Sequence, residues 1–583
     1  MASHWLDNYS SNTLSWQKHT SPTSSSPSSS SSSPTSTPCY TRPLGLVESS
    51  FSTDGTCFGG RADITATLTL HISHTLSTRE LRRRIVLAWT AVRVRHVLLK
   101  ARVGDDEGGF VVDVPGSVGG AVEEAEGSVV WFEDFDFGVD DGSIDERDVH
   151  YHALNTSRII QPSTSLSKLH ILPLVPQLDG THSLRLLIVL AHQIADGLSA
   201  YTWFSDFIST LNLPISSIEE NIATSIHEDR IREKLPPAQE SLYPKVSGNT
   251  ARQRWFWAIM RVLRHVQRTM PPTFANPLFR AERLDSAIAL PATYAPIFDY
   301  SQDKGKKPPM SSGHVSAILS RSASERMISL CRASKISIGA GCFALAGLAM
   351  MDIHARLPDS SSSTHNLSFG ASFPLNPRAF FTPQPDTDSC MLSFSEGIVM
   401  PYLPDSIPVE RRFTFVARHA NRELRVYQKR LRQGDDEGVG MFDRYSPARL
   451  LATGYVAQME RVDDKLPVEK RTGFSPQGGL KARVGRYGAT CGVSSVGSLA
   501  GYFKKGEYDV LKLGDRDFAA DYRGLRMGVR ARENEFLIGS SSDEDGIIGF
   551  GVSYDECAIS REAAEEWART IEGLLEPEST ANL

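Results

Sequence analysis

The 583-residue chain has no run of 18 apolar residues, and its first residues, MASHWLDNYSS, hold no basic stretch followed by an apolar one. Neither a membrane span nor a secretory signal is expected, and the expected location is the cytoplasm. The closing STANL carries no prenylation or peroxisomal address. The seven cysteines are odd in number and spread from Cys39 to Cys557 without CxxC or Cys/His spacing. That excludes a disulfide framework and a zinc site and leaves reduced thiols. No phosphate-cradling glycine loop or metal-ligand cluster is present, so no bound cofactor or metal is expected. The GxSxG elbow of a serine nucleophile is also missing, which favours direct transfer over an acyl-enzyme. A net charge of -6 gives no footprint for nucleic acid.

What is there is ordinary globular composition, 40% hydrophobic and 22% charged, on a chain long enough for two lobes. Residues 1–38 are rich in Ser, Thr and Pro and are expected to form a disordered tail. An N-terminal lobe is expected over 39–225, an inter-lobe linker over 226–310 and a C-terminal lobe over 311–583. Ile64 to Ile72 alternates as a half-buried strand should. Ser77 with Glu80 forms a capping box before a helix through Leu81, Ile85, Ala88, Trp89 and Val92. The acidic stretch 105–148 holds two candidate strands, Phe110–Val112 and Val129–Phe132, on loops. Arg252 to Arg268 reads as a basic amphipathic helix with Trp255, Ile259, Val262 or Leu263 and Val266 on one face. Such a helix more often closes a groove or joins lobes than lies on a membrane, so no membrane contact is expected. A second capping box, Ser322 with Glu325, opens the C-terminal lobe. Ile336 to Met351 carries no charge and reads as a buried helix.

The most informative segment is Leu184 to Trp203, LRLLIVLAHQIADGLSAYTW. A β-branched apolar run over 186–190 suits a strand buried on both faces, and after Gly197 the apolar spacing becomes helical. His192 and Asp196-Gly197 form an HxxxDG element between them, where a rigid strand end aims a side chain into a cleft. A neutral imidazole of ordinary pKa ~6.5 is suited to take a proton from a hydroxyl or amine attacking a thioester carbonyl. Asp196 reads as a structural anchor for the turn. The alternative for His192 is a satisfied core histidine at a strand end.

With its surroundings, this segment resembles the chloramphenicol acetyltransferase-like superfamily of acyltransferases. Within it the closest likeness is to fungal CoA-dependent O-acyltransferases of secondary metabolism. Arg42-Pro43-Leu44-Gly45 with Glu48 looks like the family's opening segment. Ala88 to Arg93 followed by Arg95-His96-Val97-Leu98-Leu99 resembles its first helix and the strand after it, with Val97 where a proline is often found. Phe373-Pro374-Leu375-Asn376-Pro377-Arg378 resembles the segment whose arginine pairs with the motif aspartate. Val493-Ser494-Ser495-Val496-Gly497 resembles the strand lining the channel. The DFGWG segment of the plant branch is absent, and Asp136-Phe137-Gly138 stands too early to replace it.

The resemblance implies an α/β fold of two lobes, each a mixed sheet with helices, and a channel between them. It implies His192 as general base, Asp196 as structural support with Gly197, and Arg378 and Asn376 in the supporting segment. Ser494 and Ser495 would be candidates to bind the oxyanion, although Ser-Ser before Val-Gly is also an ordinary strand end. The expected activity is transfer of an acyl group, in first place acetyl, from acyl-CoA as co-substrate to a hydroxyl of a small secondary-metabolite acceptor, by a monomer. The alternatives are a condensation-like transferase drawing on a carrier-protein thioester, and a non-catalytic protein that keeps the fold. His170, His182, His314 and His354 lack a motif and read as surface or packing residues. Arg82-Arg83-Arg84 reads as a solvated helix face.

Overall fold

The computed structural model describes residues 8–21, 37–104, 108–138, 144–246, 248–267, 271–301, 309–357, 367–395, 397–428, 446–482 and 489–576. The first part of the chain contains β1 (Gln17–Ser21), β2 (Thr37–Pro43), α1 (Leu46–Cys57), β3 (Ile64–His74), α2 (Thr78–Arg95), β4 (Arg102–Val103), β5 (Gly109–Asp113), α3 (Val118–Glu126), β6 (Val129–Trp131), α4 (Glu146–Asn155), β7 (Ser167–Ile171), β8 (Val175–Pro176), β9 (His182–Leu190) and α5 (Gly197–Leu211). Helices α6 (Ile215–Ser225), α7 (Glu228–Glu233) and α8 (Thr250–Val266) lead to the second part. That part contains β10 (Ser312–Ile318), α9 (Arg321–Ala333), α10 (Ile338–Ala355), β11 (Phe369–Ser372), β12 (Pro374–Leu375), β13 (Ser393–Phe394), β14 (Ile398–Met400), α11 (Val409–Gln428), α12 (Pro447–Lys465), β15 (Cys491–Ser498), β16 (Phe518–Val529), β17 (Phe536–Ser542), β18 (Ile548–Asp555) and α13 (Arg561–Gly573).

Two large mixed sheets organise these elements, each with its own apolar core. The first runs β16-β3-β9-β7-β6 and the second β10-β18-β17-β15-β11-β14. The chain is therefore an α/β protein of two lobes. The first sheet takes its edge strand from far along the sequence: β16 lies antiparallel to β3 from Phe518 opposite His74 to Val529 opposite Ile64. A lobe boundary at residue 310 thus does not separate the two sheets. Ile64 also faces Leu190 on β9, so three strand ends meet just before His192.

Several expectations change. Part of the segment expected to be a disordered tail is ordered: β1 pairs with β2, Tyr9 and Leu14 are buried, and the Trp16 indole donates to the Pro236 carbonyl at 2.8 Å. β3 is buried on both faces rather than half-buried, because α4 covers its threonine face and the Thr67 hydroxyl meets His150 Nδ1 at 3.0 Å. The acidic stretch contains a helix, α3, between its two strands. His96 is followed by a turn of 3-10 helix over Val97–Lys100 rather than a strand. Arg84 is buried and donates to the carbonyls of Leu211 and Leu213 and to Asp517, so it belongs to the interior and not to a solvated face. Helix α9 is capped by Ser320, whose hydroxyl accepts from the Ala323 amide at 3.0 Å, and not by Ser322.

Helix α8 forms where the basic amphipathic pattern predicts it, but rotated, so that of the expected face only Ile259 and Leu263 pack inward, and those in part. Phe256, Trp257 and Met260 are buried against Tyr9, Tyr243 and Tyr455, while Trp255, Val262 and Val266 are exposed. The expected capping box of α2 is present: Glu80 accepts from the Ser77 amide at 2.9 Å, and Ser77 accepts from the Glu80 amide at 3.4 Å. The uncharged run 336–351 forms most of α10, which passes for a membrane span by length and apolarity but lies largely buried in the second core.

Candidate active site

His192 stands two residues past β9, in the turn that carries the chain into α5. Asp196 is the N-cap of α5, and its Oδ1 accepts from the Ser199 amide at 3.0 Å. Its other oxygen, Oδ2, accepts from the Met391 amide at 3.0 Å and pairs with Arg378 Nη2 at 2.7 Å. Both residues are about 98% or more buried. The pairing read from sequence is thus present in the geometry. A carboxylate that caps a helix, accepts a second amide and faces a guanidinium leaves the turn beneath His192 little freedom.

Arg378 is held in turn by the Ser389 carbonyl at 2.5 Å and by Asn376, whose Oδ1 accepts from the Arg378 amide at 3.1 Å and from its Nη1 at 3.3 Å. The loop 386–391 therefore touches both partners. It is also tied to the first lobe through Asp388, which meets His96 Nδ1 at 2.9 Å while His96 Nε2 meets Asp206 at 2.7 Å. Burial opposes a charge on His96, but the two carboxylates outweigh it and raise the imidazole above its usual value.

The opening segment is a buried structural unit. Arg42 forks onto Glu48 with Nη1 at 2.9 Å and Nη2 at 2.7 Å, and its guanidinium lies 5.0 and 5.2 Å from the rings of Trp16 and Phe110. Helix α1, which begins there, delivers a residue that sequence reasoning missed. Phe51 stacks on the His192 imidazole with centroids 3.8 Å apart and planes 3° from parallel. Cys390 Sγ lies 4.0 Å from His192 Nδ1. Beyond Phe51 sit Lys465 of α12 and Arg532, at 5.6 and 5.8 Å from the ring, both paired with the buried Asp54. Burial pushes the His192 imidazole below its usual value, and Arg532 adds to the effect. The ring is thereby kept neutral, which a proton acceptor requires.

His192, Asp196, Gly197, Asn376, Arg378, Ser494 and Ser495 all line one cavity of about 540 Å³ between the sheets. Gly197 opens α5, and a Cβ there would touch Met527 and Val496 at 3.9 Å, so the position keeps the channel wide without demanding an unusual backbone. Val496 projects from a bulge in β15, where the register slips between Ser495 and Gly497. The Ser495 hydroxyl lies 3.5 Å from where a Cβ of Gly339 would stand, at the start of α10, and neither Ser494 nor Ser495 hydrogen-bonds His192. His314, on β10, also lines the cavity. Burial lowers its pKa to about 4, so a second neutral imidazole faces the channel. No motif marks His314, Phe51, Lys465 or Arg532. Among the described residues no cluster of His, Cys, Asp and Glu could hold a metal ion.

Comparison of the sequence with family models and with curated proteins gives no match. Comparison of the structure does. The trichothecene 15-O-acetyltransferase TRI3 of Fusarium sporotrichioides superposes with a TM-score of 0.57 at 12% identity, over 92% of this chain and 94% of that one. Polyketide synthase associated protein 5 of Mycobacterium tuberculosis gives 0.46 at 11%, over 92% and 97%. The condensation enzyme VibH gives 0.45 at 10%, over 91% and 96%. At such identities the first of these superpositions carries the architecture and nothing finer. The chain shares the two-lobed architecture of that acetyltransferase.

Proposed function

We propose that this protein is an acyltransferase that moves an acyl group, in first place acetyl, from acyl-CoA to a hydroxyl of a small acceptor, with His192 as general base. One observation carries the reading. A neutral imidazole, clamped between Phe51 and the Asp196–Arg378 turn, faces a cavity that both lobes line. In that position His192 would take the proton of the acceptor hydroxyl as its oxygen attacks the thioester carbonyl, and return it to the departing thiolate. Ser494 is proposed to meet the oxyanion formed between those steps, a contribution of about 3 kcal/mol where such a donor is in place. Asp196, Gly197, Asn376 and Arg378 are proposed to hold the geometry. The fold of an O-acetyltransferase supports transfer chemistry of this class. Action as a cytoplasmic monomer on a secondary-metabolite alcohol, without bound cofactor or metal, belongs to the same proposal.

The test is release of free CoA from acetyl-CoA and longer acyl-CoAs with a panel of terpenoid and polyketide alcohols. His192→Ala should lower turnover about a hundred to ten-thousandfold while the protein stays folded. A folded variant keeping more than about a tenth of the rate would remove His192 from the chemistry. Turnover with carrier-bound thioester but not with free acyl-CoA would overturn the choice of donor.

A further inference from the structure

A second cavity, of about 1210 Å³, lies behind α1, the helix that presses Phe51 onto His192. Its walls come from the end of α1 and the loop after it, from the end of α4, and from the residues that follow β16. Three guanidinium groups line it: Arg61, Arg158 and Arg530. Their partners are unequal. Arg158 forks onto Asp63 at 2.7 and 3.1 Å and packs where Gly55 leaves room for no side chain. Arg530 donates to the carbonyls of Gly59, Thr156 and Ala153, which carry partial charges only. The Arg61 side chain has no hydrogen bond or ion pair among the described residues. It lies 4.5 Å over the Phe58 ring, and its Nε is buried without a partner. The Thr156 hydroxyl, on the same wall, is 98% buried and also lacks a partner.

The cavity itself is lined by three guanidinium groups and one carboxylate, the exposed Asp285. Behind its wall Asp63 is taken by Arg158, and Asp54 and Glu535 by Lys465 and Arg532. Buried cations in excess of carboxylates are costly unless an anion joins them. Burial lowers the pKa of Arg61 and brings Arg530 down to about 10. A planar guanidinium with free N–H groups and a nearby hydroxyl match the oxygens of a phosphate.

We propose that this second cavity binds a phosphate-bearing ligand, with Arg61 and Thr156 contacting the phosphate and Arg158 and Arg530 supplying the positive field. The site is separate from the cavity that His192 faces and does not depend on the acyl-transfer reading. The phosphate could belong to a nucleotide-bearing donor or to a free phosphorylated metabolite.

The test is calorimetric titration of the full chain, at fixed ionic strength, with inorganic pyrophosphate and separately with adenosine diphosphate. Saturable binding is expected with at least one. Tighter binding of adenosine diphosphate points to the nucleotide source, and equal or tighter binding of pyrophosphate to the free metabolite. Arg61→Gln should weaken the affinity roughly ten- to hundredfold, as loss of a charge-assisted contact does, with Arg61→Lys retaining part of it. Thr156→Val should weaken it less. All three variants are checked by circular dichroism and by melting without ligand. Absence of saturable binding to either probe overturns the proposal, and so does affinity unchanged in a folded Arg61→Gln protein.

Discussion

Phe51 lies flat on the imidazole of His192, 3.8 Å away, and the ammonium of Lys465 stands beyond it at 5.6 Å. Three segments separated by about 140 and 270 residues thus set the orientation of one ring. A stack of this kind contributes about 0.5–1.5 kcal/mol beyond the area it buries. It also closes one face of the imidazole to a substrate.

The pH dependence of turnover follows. Burial and Arg532 hold the His192 pKa below its ordinary 6.5, and the ring accepts a proton only when neutral. The value of kcat/KM should therefore rise with pH, with a midpoint below 6.5, and level off by about pH 7. A midpoint above that, measured with a non-ionising acceptor, would place the base elsewhere.

Asp196 and Arg378 should behave as a unit. Losing one partner of a deeply buried pair costs about 3 to 5 kcal/mol, because the other charge is stranded. Asp196→Asn and Arg378→Ala should each lower stability by that order, and the double variant by less than the sum. Urea unfolding of the four proteins of the cycle measures the coupling. Strict additivity would contradict the 2.7 Å contact.

Glu240 offers a test of the opening segment. Its carboxylate is buried, accepts from the Leu46 amide at 2.6 Å and stands near Glu48; burial first, then that neighbour, raises its pKa to about 7. Its folded-state value lies above the unfolded one, so the stability this group contributes is full below about pH 4.5 and is lost as pH rises through 7. Glu240→Gln keeps an acceptor and removes the charge. It should match the wild type near pH 5 and exceed it by a few kcal/mol near pH 8, as read by thermal or urea unfolding. Parallel stability curves for the two proteins would refute the assignment.

Deletion of residues 1–21 should destabilise the protein. Tyr9 is buried among Trp257, Tyr243 and Tyr455, and Trp16 packs beside Arg42 and reaches Pro236. Removing two packed aromatics costs on the order of 3–5 kcal/mol each when burial is complete. A melting temperature unchanged by the deletion would show that these contacts add nothing.

Local pattern carried a good part of this architecture, and the reason is visible in individual residues. The β9 strand, the cap at Asp196 and helix α5 are consecutive in sequence, so period and spacing suffice to read them. The partner arginine was legible because Asn376 and Arg378 sit in a compact turn of recognisable composition. Phe51, Asp54, Lys465 and Arg532 were not legible, since their meeting depends on how α1, α12 and the end of β16 are brought together. Helix α8 misled for a related reason. Apolar residues lie on both of its faces, and the side that turned inward was chosen by Tyr9, Tyr243 and Tyr455, which come from elsewhere in the chain. Arg84 shows the same limit: a run of three arginines looks solvated until carbonyls from the end of α5 and Asp517 meet the third one.

The place of β16 at the edge of the first sheet bears on how the chain acquires its shape during synthesis. Strand β3 is complete by residue 74, yet the strand that pairs along its whole length ends at Val529. Until some 450 residues later, the edge of that sheet would present its backbone donors and acceptors unpaired. An open edge of this length is a template for association with other chains, and a closure spanning so much sequence is slow to form. A fragment ending at residue 310, although it carries His192 and Asp196, would keep that edge open permanently. Such a fragment would lack Arg378 as well, so the two halves of this molecule are interdependent in folding before they share any chemistry.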